Sequence, residues 1–322
     1  MILSPHSNKV KTSFSLREVA FKNRVFVASG TFGYGDEVSE LVNVNRIGGI
    51  FTKSLSLKSR PGNPPQRIVE TTGGMLNSIG LANIGVHAFI EQKLPYLRSL
   101  DTRIMANIAA SSIQEFCEVL GLLEEQNGIA GYEINVSCPN VKEGGMTFGT
   151  DCKMTTEITS HLRKLTERPL IIKLTPNVTH ISEFARAAES AGADAISVIN
   201  TLVGMAVDIK TRKPKLSTVT GGLSGPAIKP VALAKVYEAA KAVKIPVFGI
   251  GGIACAEDAI EFILVGATAV QIGTMNFVEP SISEKIVEGI ENYALQNKIS
   301  DVSTLVGALD ADVKFSVLQS WL

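Results

Sequence analysis

The sequence predicts an α/β barrel in which eight parallel strands alternate with helices. Two observations carry this prediction. Apolar runs rich in Val and Ile recur eight times along 322 residues, with helix-period segments between them, as in strands buried on both faces. Hydrophobic residues make up 45% of the chain and aromatic residues only 6%, with 28 glycines, which suits a parallel sheet covered by helices. The runs are 25–30, 49–54, 103–109, 131–138, 169–176, 195–201, 246–252 and 269–274.

The segments between the runs show helical periodicity. Residues 112–126 place Phe116 and Leu120 on one apolar face. A helix over 180–192 is predicted to start at an N-cap, Ser182, and to end at a glycine. Residues 230–243 begin with a proline, which is tolerated in the first turn, and 256–266 again end in glycine.

We predict one domain over 1–322, with a barrel core from about 21 to 307. A doubly wound open sheet is the alternative fold, but residues 28–35 match its glycine-rich turn poorly. Long loops follow strands 2, 4 and 6 of the predicted barrel. Those at 55–85 and 202–229 are rich in Gly, Pro, Ser and Thr. Because they follow strand C-termini, we expect them to be lids or binding loops.

Charge and cysteine content exclude several classes of protein. Lys plus Arg equals Asp plus Glu at 31 each, so no basic surplus indicates a nucleic-acid partner. The four cysteines form no Cys-x-x-Cys pair and match no metal pattern, which favours a reducing compartment. The first residues lack a signal-peptide core, and no apolar stretch approaches the roughly 18 residues of a membrane span. We therefore expect a cytoplasmic protein without a metal site or membrane partner.

The run NVSCPN, residues 135–140, is the strongest candidate for a reaction site. It follows a strand-like stretch, and its proline cannot continue a central ladder. Cys138 is therefore expected where a strand ends and a loop begins, between the amides of Asn135 and Asn140. A buried structural cysteine at a turn is the alternative interpretation.

The predicted strand ends are unusually polar, and in a barrel they would converge on one pocket. The lysines inside apolar runs favour a binding site, because lysine is rarely buried without a partner. The alternative is a lysine at a strand end whose ammonium extends into solvent. Glycines ending the seventh and eighth strands predict a phosphate site. The polar and glycine residues are Ser29, Lys53, Asn107, Asn135, Lys173, Asn200, Thr201, Gly251, Gly252, Gly273 and Thr274.

Several motifs, taken together, resemble the class 1 dihydroorotate dehydrogenases, and most of all the class 1B catalytic subunit. They are TTGGMLNSIG, INVSCPNVKEGG, IKLTPNV, GGLSGPAIKP, GIGGI and QIGT, and the match runs from about residue 21 to 307. The resemblance implies an FMN enzyme that oxidises dihydroorotate to orotate in pyrimidine biosynthesis, with Cys138 as the catalytic base. Class 2 enzymes of this family have a serine base and an N-terminal membrane segment, and the sequence shows neither.

The resemblance also assigns binding residues. It implies substrate contacts from Lys53, Asn77, Ser78, Ile79, Gly80, Leu81, Asn135, Asn200 and Thr201. It implies FMN contacts from Ser29, Lys53, Ser54, Asn107, Asn135, Lys173, Ile199, Gly225, Gly251, Gly252, Gly273 and Thr274. A charge such as that of Lys173 beside a flavin favours its reduced anion. Class 1B enzymes pass electrons to a partner subunit with FAD and a [2Fe–2S] cluster, and then to NAD⁺, in a 2+2 heterotetramer.

Three other functions remain open at this point. A class 1A-like homodimer would use fumarate and shares the Cys-Pro-Asn site. An RNA-modifying flavoenzyme of the dihydrouridine synthase type also has Cys-Pro at a strand end, but the neutral charge counts against it. A non-catalytic barrel subunit would bind no flavin and would not need Cys138.

Overall fold

The computed structural model describes residues 10–136, 142–143, 146–147 and 150–311. Its strands are, in chain order, β1 (Phe14–Leu16), β2 (Val19–Phe21), β3 (Val25–Val27), β4 (Gly49–Phe51), β5 (Ile68–Thr71), β6 (Gly74–Asn77), β7 (Arg103–Ile108), β8 (Gly131–Asn135), β9 (Lys142–Glu143), β10 (Met146–Thr147), β11 (Leu170–Leu174), β12 (Ala195–Val198), β13 (Leu202–Met205), β14 (Val207–Asp208), β15 (Lys213–Pro214), β16 (Thr220–Ser224), β17 (Val247–Ile250) and β18 (Ala269–Ile272).

Eight of the described strands close into a parallel barrel in the order β3, β4, β7, β8, β11, β12, β17, β18. Each lies inside one of the predicted apolar runs. The last strand pairs with the first, with Ile272 opposite Val27, so the sheet has no free edge. The barrel fold predicted from the sequence is confirmed, and the open doubly wound sheet is wrong.

The helices pack around the barrel and bury the outward side chains of the strands. They are α1 (Val86–Ala88), α2 (Leu94–Leu97), α3 (Ile113–Glu124), α4 (Cys152–Arg163), α5 (Ile181–Ser190), α6 (Lys229–Ala242), α7 (Ala256–Leu264), α8 (Met275–Val278) and α9 (Ile282–Gln296), with a π-helical stretch over Phe89–Lys93 between α1 and α2. Within the described ranges, no helix has the length and apolar character of a membrane span.

The predicted N-cap of α5 is wrong. Residue His180 precedes the helix, and Ser182 lies in its first turn. The Ser182 N–H and hydroxyl both donate to Glu238 Oε1 on α6, at 3.1 and 2.9 Å. An unpaired N–H of the first turn is thus satisfied by a carboxylate of the neighbouring helix instead of by a local cap.

The barrel interior contains an apolar layer near the N-terminal ends of the strands. It includes Phe26, Phe51, Met105 and Phe248, all essentially inaccessible to solvent. The hairpin of β1 and β2 packs beneath this layer, and its Phe14 ring lies 6.1 Å from that of Phe248. Side chains two residues further along several of the same strands form a second, polar layer closer to the C-terminal ends.

The two long loops predicted as lids join into one antiparallel sheet, in the order β13, β16, β6, β5. Leu202 pairs with Leu223 within the second loop, and Leu223 pairs with Leu76 of the first. The loop after the fourth barrel strand carries the short hairpin of β9 and β10. The loop positions are as predicted, and the capping sheet is a feature that the sequence did not indicate.

Candidate active site

A cavity of about 660 Å³ opens at the C-terminal ends of the barrel strands. Most of the site residues predicted from the sequence line it. They are Ser29, Lys53, Ser54, Asn77, Ser78, Ile79, Gly80, Leu81, Asn135, Lys173, Ile199, Asn200, Thr201, Gly225, Gly251, Gly252, Gly273 and Thr274. Cys138 and Asn140 lie outside the described residues. The structure therefore brings these positions together, and their individual roles stay predictions.

The floor of the cavity rests on a buried carboxylate, Glu133, which points into the barrel from β8. Its Oε1 accepts hydrogen bonds from Ser197 Oγ at 2.6 Å and Gln271 Nε2 at 2.8 Å. Its Oε2 accepts from Asn107 Nδ2 at 2.6 Å and lies 3.6 Å from Lys173 Nζ. Glu133 is fully buried, and the Lys173 side chain is only 8% exposed. A buried carboxylate is thus surrounded by donors, as its charge requires.

Asn107 lies beneath the cavity wall, with a fully buried side chain. Besides its bond to Glu133, its Oδ1 accepts from Ser54 Oγ at 2.6 Å. Its backbone N–H donates to Thr52 Oγ1 at 3.1 Å. Asn107 thus connects the buried carboxylate to a serine that does line the cavity, and the contact with FMN predicted for it stays a prediction.

Amide side chains line the upper wall, where the two long loops meet. Asn200 Nδ2 donates to Asn135 Oδ1 at 3.3 Å, and Asn200 Oδ1 accepts from the Thr201 N–H at 2.8 Å. Asn77 Nδ2 donates to the Gly222 carbonyl at 3.3 Å, which links the first loop to the second. These bonds hold the amide planes in place and present a polar surface suited to a planar heterocycle.

Closely packed glycines form the side of the cavity at the C-terminal ends of the seventh and eighth barrel strands. Gly252 has φ +80°, and a Cβ there would lie 2.6 Å from the backbone nitrogen of Lys229 at the start of α6. Gly225 has φ +99°, and its Cβ would lie 2.6 Å from the Gly74 Cα. Only glycine suits such positions. They leave backbone next to a helix N-terminus, which is a favourable arrangement for a phosphate.

Lys53, on the opposite wall, is a partly buried cation. Burial lowers the pKa of its ammonium, and the positive charge of Arg67 acts in the same direction, while Glu37 opposes them. Its backbone N–H donates to the Gly33 carbonyl at 2.8 Å. An incoming carboxylate at this wall would therefore meet a cation that is poorly solvated and available for pairing.

The sequence prediction missed the inner partners of the site. Glu133, Ser197 and Gln271 were not singled out, although each is a polar residue inside an apolar strand run. Counting such interruptions would have found them. Asn63 and Asn177 also line the cavity, from the loops.

The remaining cysteines do not line the cavity. Burial raises the pKa of the Cys117, Cys152 and Cys255 thiols, which makes them less reactive. Within the part of the chain that the structure describes, no group of three or more His, Cys, Asp or Glu side chains is arranged to hold a metal ion.

Comparison with known proteins agrees with this architecture. The family model of dihydroorotate dehydrogenase matches residues 12–293. The catalytic subunit of dihydroorotate dehydrogenase B (NAD(+)) from Geotalea uraniireducens is 52% identical over 301 residues, covering 94% of this chain and 99% of that protein. The subunit of the same name from Geobacter metallireducens is 54% identical over 297 residues, covering 92% and 97%.

A solved structure shows the same fold at low identity. It is DHODH from Eimeria tenella in complex with ferulenol, with a TM-score of 0.78 and 20% sequence identity, and the match covers 96% of this chain and 91% of that one. The family predicted from the motifs is confirmed by the match of the family model and by the closely similar relatives. This chain belongs to the dihydroorotate dehydrogenase family.

Proposed function

We propose that this protein oxidises dihydroorotate to orotate with FMN as its cofactor, as the catalytic subunit of an NAD⁺-linked enzyme in pyrimidine biosynthesis. One observation supports the proposal above all others. One cavity joins a glycine-lined wall, the lysine side chains of Lys53 and Lys173, and a group of amides. The relatives named above, more than half identical over nearly their whole length, carry this activity in their names.

The cavity suits FMN. Gly225, Gly251, Gly252, Gly273 and Thr274 would hold the phosphate, because their backbone is accessible beside the start of α6. Ser29, Lys53, Ser54, Asn135, Lys173 and Ile199 line the rest of the flavin-sized space, with Asn107 beneath. FMN, when bound, supplies the hydride acceptor for the reaction.

The protein residues bind the substrate and move its proton. Dihydroorotate loses a proton from one ring carbon and a hydride from its neighbour, and a carbon–carbon double bond forms between them. Cys138, three residues after the end of β8 in the sequence, would take the proton as its thiolate. Lys53 would pair with the substrate carboxylate. The ring would meet Asn77, Ser78, Ile79, Gly80, Leu81, Asn135, Asn200 and Thr201, all of which line the cavity.

Electrons would leave through a second subunit. The names of the relatives describe a catalytic subunit and NAD(+). We infer a partner that carries FAD and a [2Fe–2S] cluster, in an assembly of two catalytic and two electron-transfer chains located in the cytoplasm. Mass measurement of the complex copurified from cells tests this stoichiometry, and a lone homodimer would contradict it.

Rapid mixing with dihydroorotate tests cofactor, substrate and base together. The purified protein is expected to be yellow, and its flavin absorbance to bleach on mixing. Cys138→Ala and Cys138→Ser should keep FMN but bleach at least about 100-fold more slowly, within the usual range for loss of a general base. Cys117→Ser, remote from the cavity, is the matched control and should bleach at the wild-type rate. Full-rate bleaching in both Cys138 variants would refute the assignment of the base.

The alternative electron acceptor is tested with the same protein. Under anaerobic conditions, the isolated chain is expected to reduce fumarate slowly, and the copurified complex to reduce NAD⁺ rapidly. Fast turnover of fumarate by the isolated chain would instead establish the class 1A-like homodimer. Colourless protein with no response to dihydroorotate would support a non-catalytic barrel.

A further inference from the structure

We propose that Glu133 is a positioning residue that acts through Lys173 and thereby raises the reduction potential of bound FMN. This inference rests on the proposed function for the presence of FMN, but on the structure for everything else. It concerns a side chain that cannot touch the cofactor, since Glu133 is fully buried beneath the cavity floor.

The surroundings of Glu133 require a charged carboxylate. Among the described residues, four side chains direct donors at its two oxygens: Asn107, Ser197, Gln271 and the ammonium of Lys173. A glutamine amide would place an NH₂ group against a donor on whichever side it turned. The site thus selects an acceptor-only group, which is the ionised form of glutamate.

The barrel register explains why these groups meet. Lys173 lies beside Asn135 on one side and Ser197 on the other. Asn107 lies beside Glu133 across β7 and β8. Gln271 comes from the far side of the barrel and donates to both Glu133 and Ser197, at 2.8 and 3.0 Å. The carboxylate is held from three strands, so it forms a rigid anchor.

Lys173 links this buried cluster to the cavity. Its stem has four rotatable bonds, and it borders a cavity of about 660 Å³ that is open to solvent. Loss of the Glu133 carboxylate would remove the anion paired with this ammonium and would favour its movement toward the solvated part of that space. The ion pair with Glu133 keeps the Lys173 charge at the floor, where it would favour the reduced, negatively charged form of a bound flavin.

The sign of the change in potential distinguishes anchoring from a simple charge effect. If Glu133 acts only as a nearby negative charge, Glu133→Gln removes a charge that disfavours reduction, and the potential rises. If Glu133 anchors Lys173, Glu133→Gln displaces the ammonium, and the potential falls as it does in Lys173→Met. The falls in potential in Glu133→Gln and in Lys173→Met then have one cause, the loss of the ammonium from the floor, and they are not additive.

The experiment measures the midpoint potential of the flavin in holoenzyme by spectral titration against redox dyes. Lys173→Met and Glu133→Gln are each expected to weaken binding of reduced relative to oxidised FMN about tenfold, which is about 30 mV lower for a two-electron couple. The double variant should have a potential no lower than that of Lys173→Met alone, because without Lys173 the carboxylate has no ammonium left to anchor. A rise in potential in Glu133→Gln, an unchanged value, or an additive double variant would overturn the proposal.

Two further variants keep the test decisive. Glu124→Gln alters a carboxylate on the outer side of the barrel, bonded to Tyr132 Oη at 2.5 Å, and should leave the potential unchanged. If Glu133→Gln does not fold, Ser197→Ala removes one donor to Glu133 and should lower the potential by a smaller amount. No fall in that variant would overturn the proposal. Wild-type protein that binds no FMN would refute the proposed function itself, a separate result.

Discussion

The lower and upper layers of the barrel interior come from the same strands but differ completely in chemistry. On β7 and β11, Met105 and Ile171 face the apolar layer, while Asn107 and Lys173 face the polar one. A two-residue step along a strand moves a side chain from one layer to the next on the same face. The barrel thus assigns stability to its N-terminal end and binding to its C-terminal end.

This division predicts that substitutions in the two layers have separable effects. A change in the apolar layer should alter the free energy of unfolding and leave the affinity of the folded protein for FMN intact. A change near the cavity that creates no packing defect should weaken FMN binding and leave the free energy of unfolding intact. Phe248 in β17 and Gly252 just after that strand form one pair for this comparison, and Phe51 in β4 and Lys53 just after it form another.

The largest expected effect is on stability, in Phe248→Ala. The Phe248 ring is fully buried, 5.3 Å from that of Phe26 and 5.8 Å from that of Phe51. Its loss should lower the free energy of unfolding by about 3–5 kcal/mol, because the surrounding rings cannot close the cavity. Urea denaturation measures this.

The control for that experiment is Leu295→Ala on α9, where the side chain is half exposed. It should change the free energy of unfolding by less than about 1 kcal/mol. The FMN content of the folded Phe248→Ala protein should equal that of the wild type. Loss of FMN affinity in parallel with stability would show that the two layers are not separable.

The sequence predicted the barrel well and the relations inside it poorly. Strands buried on both faces leave continuous apolar runs, so all eight were visible. The capping sheet was not, because β13 and β16 contain glycines, and β16 pairs with β6 of a loop far away in the chain. Glu133 appears in the sequence as a single polar interruption, and only the barrel register brings Gln271 to it.

A second prediction concerns Gly252, which lines the cavity two residues after the end of β17, the strand that contains Phe248. Gly252→Ala places a Cβ 2.6 Å from the Lys229 nitrogen and forces alanine to φ +80°. It should cost about 1–3 kcal/mol of stability. It should also weaken FMN binding at least about tenfold, because the backbone that we propose holds the phosphate must shift; fluorescence titration of apoprotein with FMN measures this.

The matched glycine is Gly121, inside α3, where nothing lies within 4 Å of the position that a Cβ would occupy. Gly121→Ala should raise the free energy of unfolding by about 0.5–1 kcal/mol, because alanine favours the helix. FMN affinity should be unaffected. If Gly252→Ala binds FMN as tightly as Gly121→Ala does, the glycine wall does not hold the phosphate.

The smallest expected effect is a pH dependence of ligand affinity that arises at Lys53. This residue lies two positions after Phe51, the last residue of β4 and a member of the apolar layer. Burial lowers the pKa of Lys53 below its ordinary value of 10.5. As pH rises, its charge is therefore lost at a lower pH than that of a free lysine. With the proposed pairing of this cation and the ligand carboxylate, orotate affinity should fall by roughly fivefold across this titration, the value of an ion pair of about 1 kcal/mol. Flavin absorbance changes on adding orotate give the affinity at each pH. Lys53→Met should bind weakly at all pH values and lack this step, whereas an identical decline in both proteins would assign the titration to another group.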